Sequence, residues 1–251
     1  MLISIKSIRF LRTVCSNLIS GKAYTHNSRS QKPMASEGAE AADLRIRESV
    51  TGISFFKSQT LPGGTKELSL LGVGVREKSF ANIITVKVYA VGIYMEAEIS
   101  DRIAPWKGRQ VDEILKDVSF SKALIEAPVE KGLCLVLARD VGVAQFLRGF
   151  NEAIAPGLKA YSKNCSVDEV LADLSKIFHG QSLKKGTIIY FTWVQPSSVQ
   201  IAVTKEVPTV MSPSFSSIDS GPLAEALFGM FLGVNPVSQA AKSATVTSLF
   251  S

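Results

Sequence analysis

The stretch LLGVGVREKSFANIITVKVYAVGIYME, residues 70–96, constrains the fold more than any other part of the chain. Its alternation and β-branched content read as two strands, 66–80 and 83–94, joined at Ala81 and Asn82. A two-residue connection sets Arg76 opposite Lys87 and Tyr89 opposite Gly74. Arg76 and Tyr89 then share one face as diagonal neighbours, with Cβ atoms roughly 7 to 8 Å apart. The same register puts Leu70, Gly72 and Gly74 on that face, across from Thr85, Val91 and Ile93, and the glycines leave side-chain space vacant beside Tyr89. An apolar floor with a gap, and an arginine and a tyrosine converging at one end, suits an elongated amphiphile with an anionic head. A one-residue slip would send Arg76 and Tyr89 to opposite faces. The alternative for Arg76 is a strand-end charge that faces solvent or pairs with Glu77 or Glu96.

Further strand patterns run over 53–57, 133–137, 187–194 and 199–205, and helical periods over 111–116, 141–154, 166–178, 223–232 and 237–249. Strands, helices, strands and helices in that order predict an α+β fold, a mostly antiparallel sheet with helices layered on it. Two helices are well punctuated. Ser166 and Glu169 form a capping box ahead of an apolar face that stops at Gly180. The helix over 141–154 carries Val143, Phe146, Leu147, Phe150 and Ile154 on one stripe, with Arg148, Asn151 and Glu152 on the other, and is expected to end at Pro156. Such a stripe is core, or the lining of a ligand cleft.

With 251 residues, 46% of them apolar, the chain can bury one sizeable core. Its net charge of +6 comes from the leader. Residues 1–36 hold Lys6, Arg9, Arg12, Lys22, Arg29 and Lys32 and no acid. Taking these six from the 28 basic residues leaves 22, equal to the 22 acidic ones, so a nucleic-acid partner has no electrostatic support. The leader is rich in Ser and Arg and apolar at Leu2, Ile5, Ile8, Phe10 and Leu11. These are features of an organelle transit peptide, with a basic tail as the alternative. Its apolar runs are too short for a transmembrane segment. The expected organisation is a transit peptide at 1–36, a linker at 37–50 and one domain at 51–251. Composition leaves plastid and mitochondrion both open.

Cys15, Cys134 and Cys165 have neither disulfide-framework nor zinc spacing, and no Asp/Glu cluster suggests a metal site. His26 lies in the leader, and His179 sits where a helix ends, so His-based nucleophilic catalysis lacks its base. Gly72-Val73-Gly74 runs into strand-like sequence without a third glycine and is not a dinucleotide fingerprint. No cofactor is expected.

The residue 70–96 stretch, GTIIYFTW, VQIAVTKEVP and PLAEALFGMFLGVNPVS, in order over about residues 51–249, resemble the chalcone isomerase-like family, and within it the plant plastid fatty-acid-binding branch. The resemblance implies an open-faced β-sandwich with a ligand cleft between a large antiparallel sheet and a layer of helices. It places the family arginine on Arg76, which binds the substrate oxyanion in the catalytic enzymes and the ligand carboxylate in the fatty-acid binders. Tyr89 matches the binders, where the enzymes have threonine. Phe146 and Ala153 stand where the enzymes carry a tyrosine and an asparagine. The implied function is non-catalytic binding of free fatty acids in the chloroplast stroma, with Arg76 and Tyr89 on the carboxylate and Phe146 and Phe150 enclosing the chain. Chalcone isomerase, closing a chalcone to a flavanone, is the alternative.

Overall fold

Seven strands follow one another in chain order across one antiparallel sheet: β3 (Ser58–Gln59), β4 (Leu68–Phe80), β5 (Ile84–Met95), β6 (Lys131–Leu137), β7 (Ile188–Val194), β8 (Ser198–Thr204) and β9 (Ser216–Asp219). This computed structural model describes residues 44–80, 84–162, 166–205 and 214–251. The leader, Cys165 and the proposed connection at Ala81 and Asn82 lie outside the described residues. A separate pair, β1 (Arg45–Arg47) and β2 (Ser54–Phe56), is also antiparallel. The end of the stretch expected to be a linker is therefore a strand, held by Arg45 over the Phe56 ring at 3.9 Å and by buried Glu48, which accepts from Val50 N and Thr51 N.

Alternation along the strands builds two cores. Val91 and Ile93 of β5, Leu133, Leu135 and Leu137 of β6, and Ile189, Phe191 and Trp193 of β7 face the helices. Ala90, Tyr94, Cys134, Ile188 and Tyr190 point the other way, where Phe55 and Leu61 cover them. Because β6 is buried on both faces, its sequence reads as a continuous apolar run.

The helical layer contains α1 (Ile99–Ile103), a 3-10 turn (Ala104–Trp106), α2 (Val111–Lys116), α3 (Val118–Glu126), α4 (Val143–Tyr161), α5 (Val167–Phe178), α6 (Gly221–Leu232) and α7 (Gln239–Leu249). Helix α3 starts where the Asp117 carboxylate accepts from Ser119 N and Phe120 N. Helix α4 does not end at Pro156. It continues to Tyr161 because Phe146, Phe150, Ile154 and Leu158 keep an apolar stripe at four-residue spacing. A Cβ on Gly157 would lie 3.0 Å from Ala226 Cα, so α4 and α6 pack backbone to backbone there. That packing offsets the roughly 3 kcal/mol that an interior proline costs a helix.

Helix α7 lies directly on β4. A Cβ on Gly72 would stand 2.6 Å from Thr245 N, and one on Gly74 would stand 2.7 Å from Ser238 Oγ. The space that these glycines leave is thus filled by a helix, and is not a gap for ligand. Lys242 fixes the far side of α7. It is fully buried and donates to Leu115 O at 2.7 Å, Gly233 O at 2.9 Å and Ser121 Oγ at 3.2 Å, while burial pushes its ammonium pKa down. Three acceptors satisfy its three donors and tie α7 to α2, α3 and the end of α6.

Substitution of Gly74 by Ala is expected to lower stability by about 2 kcal/mol or more, because the obstructing atoms belong to helix backbone and a buried cap. Gly149→Ala, on α4 with no atom within 4 Å of the added Cβ, should raise stability by about 0.5–1 kcal/mol. Urea unfolding of both variants checks the contrast.

Candidate functional site

The β4–β5 pair places Arg76 directly opposite Tyr89. They are partners across the strands and not the diagonal neighbours that the sequence suggested. Phe80 pairs with Ile84, one residue longer than a two-residue connection allows, which alone would have separated them onto opposite faces. An irregularity between the Arg76/Tyr89 and Glu77/Lys87 pairs inserts Val88 and restores the parity. The bulge also brings two successive side chains, Val88 and Tyr89, into one cavity lining. Thr85 lies before the bulge and so turns away, exposed and 3.3 Å from the Ser79 hydroxyl. A second irregularity at Leu71 sends Leu70 to the opposite core, beside Tyr94.

The cavity, about 220 Å³, lies between this strand pair and α4. Its strand side is Arg76, Lys78, Val86, Val88 and Tyr89, and its helix side is Gln145, Phe146, Arg148, Gly149, Phe150 and Ala153. Met230 of α6 closes one end, and Arg139 and Val141, between β6 and α4, close another. The structure therefore brings Arg76, Tyr89, Phe146 and Phe150 together. Phe146 and Phe150 are 5% and 4% exposed, their rings stack at 5.6 Å, and Phe150 stacks in turn on Phe191 at 5.3 Å. They are core and lining at once, so their rotamers are fixed from behind by the sheet.

Arg76 pairs with neither carboxylate considered from sequence. Glu96 bridges to Lys66 at 3.4 Å, and Glu77 is exposed on the other face. Arg76 donates through Nη1 to Val237 O at 3.2 Å, in the turn that leads into α7. One bond fixes the guanidinium, and its remaining N–H groups have no partner among the described residues. Tyr89 is 5% exposed, its ring 6.5 Å from that of Phe231, and its hydroxyl makes no hydrogen bond among the described residues. Burial raises the Tyr89 pKa well above the usual phenol value, opposed only in part by the Arg76 charge, so the hydroxyl is a neutral donor at physiological pH. A fixed cation and a free hydroxyl beside a mainly apolar wall can hold a small anionic group with an apolar tail.

Lys78, Arg139, Arg148 and Met230 were missed as lining residues. Lys78 was recoverable, being two residues from Arg76 and therefore on its face. Arg148 was assigned to the polar stripe of its helix, where it indeed starts before reaching the cavity rim. Arg139 and Met230 meet the site only through tertiary packing.

The model of the chalcone-flavanone isomerase family matches residues 50–251, and the chain belongs to that family. Chalcone isomerase-like protein 2 of Humulus lupulus is 32% identical over 146 residues, 57% of this chain and 68% of that protein. Chalcone–flavanone isomerase 1B-1 of Glycine max is 26% identical over 190 residues, 75% of this chain and 83% of that enzyme. Among solved structures, a fatty-acid binding protein of Arabidopsis thaliana superposes with a TM-score of 0.67 at 21% identity, covering 82% of this chain and 97% of that one. The superposition establishes the shared architecture of an antiparallel sheet covered by helices. No helix among the described residues is long and apolar enough to cross a membrane.

Proposed function

We propose that this protein binds free fatty acids without transforming them, and does so in the plastid stroma in support of fatty acid metabolism. The observation that carries the proposal is the pairing of Arg76 with Tyr89. Both present unused donors to one cavity, and the adjacent wall is Val86, Val88, Phe146, Phe150, Ala153 and Met230. The carboxylate accepts from the Arg76 guanidinium and the Tyr89 hydroxyl, and the acyl chain runs along the phenylalanines. The Arabidopsis protein of like fold, a fatty-acid binding protein, supports this reading.

The relatives named as chalcone–flavanone isomerases favour a second reading, catalysis of chalcone cyclisation. Ring closure needs polar groups around the developing enolate charge. Phe146 and Ala153 offer the cavity no donor, which favours binding over catalysis.

Palmitate titrated calorimetrically into the protein is expected to bind, and its methyl ester to bind more weakly. Arg76→Gln should weaken palmitate about 10- to 100-fold, the range for a hydrogen bond to a charged group, and Tyr89→Phe by roughly 3- to 10-fold, the range for an ordinary hydrogen bond. Equal affinity for palmitate in Arg76→Gln, with an unchanged melting temperature, would rule out this assignment. The same preparation should leave chalcone absorbance constant, whereas appreciable turnover would establish the isomerase instead.

The acid-free, Ser- and Arg-rich residues 1–36 motivate the location. Fused ahead of a fluorescent protein in plant cells, they are expected to carry it into plastids. Mitochondrial fluorescence would contradict this.

A further inference from the structure

The cation count of the cavity exceeds what a fatty acid uses. Arg76, Lys78, Arg139 and Arg148 all line it, and no Asp or Glu lines it among the described residues. Lys78 is partly neutralised by Glu152 at 3.7 Å, with both groups exposed. Arg76, Arg139 and Arg148 form no ion pair among the described residues. A single carboxylate carries one charge and two acceptor oxygens, which one guanidinium and the Tyr89 hydroxyl already satisfy. Of the two further guanidiniums at the same cavity, Arg139 shares the Asp140 charge with Lys184, and Arg148 forms no ion pair among the described residues.

A phosphate monoester removes that mismatch. It carries about −1.5 to −2 charges at pH 7 and three terminal acceptor oxygens, and the planar guanidinium fork matches it geometrically. Gln145, on the first turn of α4, adds an uncharged side-chain amide to the same rim. Arg76 and Lys78 stand on the strand side, Arg139 at the β6–α4 junction and Arg148 on the exposed face of α4, while the aromatic wall is the buried face of that helix, so head and tail of one ligand can be served together.

We infer that the cavity takes single-chain amphiphiles whose head is a phosphate monoester, and holds them more tightly than the free fatty acid of equal length, with Arg139 and Arg148 meeting the second charge. This rests on the cavity being an acyl-chain site. The shared chemistry is a phosphate monoester at the head of one chain, and it can arrive on a glycerol ester or directly on a long-chain alcohol.

The test compares palmitate and hexadecyl phosphate by calorimetry at one low ionic strength, with 1-palmitoyl lysophosphatidate as a separate arm that distinguishes the glycerol ester from the alcohol ester. Hexadecyl phosphate is expected to bind about tenfold or more tightly than palmitate, the increment of one added charge-assisted contact. Its advantage should grow from pH 5.5 to pH 8, as the second phosphate proton, with a pKa of about 6, is lost. The ratio of the two affinities should fall toward one in Arg139→Ala/Arg148→Ala, whose substituted residues are exposed, so that an unchanged melting temperature reports an intact fold. Equal or weaker binding of hexadecyl phosphate, with palmitate still bound, overturns this inference alone. A ratio unchanged in the double variant also overturns it. Binding of neither amphiphile overturns both the inference and the fatty-acid reading beneath it.

Discussion

Helix α7 can sit on β4 only because positions 72 and 74 have no side chain, and the geometry of the cavity depends on that approach. A Cβ at 72 would stand 2.6 Å from Thr245 N, and one at 74 would stand 2.7 Å from Ser238 Oγ. The docking brings Val237 O to within 3.2 Å of Arg76 Nη1, so the turn entering α7 holds the guanidinium at the cavity. From the other side, Lys242 clips the same helix to α2, α3 and the end of α6 through three acceptors. Taking a lysine fully out of water is costly, and the cost is met here by complete hydrogen bonding and not by an acid. The cavity is thereby built on packed elements, which hold the Arg76 guanidinium in one orientation.

The second constraint is the bulge at Val88. A regular ladder continued from the Phe80/Ile84 pair would leave Arg76 and Tyr89 on opposite faces. One inserted residue reverses the parity of β5 and doubles the side chains that β5 offers to the cavity at that level. Opposite, α4 contributes a stacked Phe146–Phe150 pair backed by Phe191 and Phe178, so the apolar wall is rigid where it meets the strand pair.

Much of this was legible in the chain. Strand and helix patterns located β4 to β8, α2 and α4 to α7, through alternation or continuous apolar runs in the strands and apolar periods in the helices. The short elements were harder: β1, β3 and β9 span two to four residues, too few for a period to register. Helix α3 carries a local signal in Asp117, whose carboxylate caps it by accepting from Ser119 N and Phe120 N. Pro156 misled because local propensity yields to the stripe that ends at Leu158 and to the Gly157–Ala226 contact. Arg76 and Tyr89 were found together although the register used to join them was wrong at the tip, since two single-residue shifts cancel. Gly72 and Gly74 were correctly singled out and wrongly explained, because a glycine in a strand signals close approach without saying what approaches. The positive rim was invisible, since Arg139 and Arg148 belong to other elements and meet Arg76 only when the sheet and α4 close together.

The placement of the carboxylate at Arg76 is the centre of the account. Carbon-13 NMR of bound palmitate labelled at C1, followed through a pH titration, tests it most directly. A carboxylate paired with Arg76 and hydrogen-bonded by Tyr89 must titrate below the range of free carboxylates, and the same signal in Arg76→Gln must move up. A bound carboxyl that titrates at or above the ordinary range in the unaltered protein, or that ignores Arg76→Gln, would show that the head group lies elsewhere.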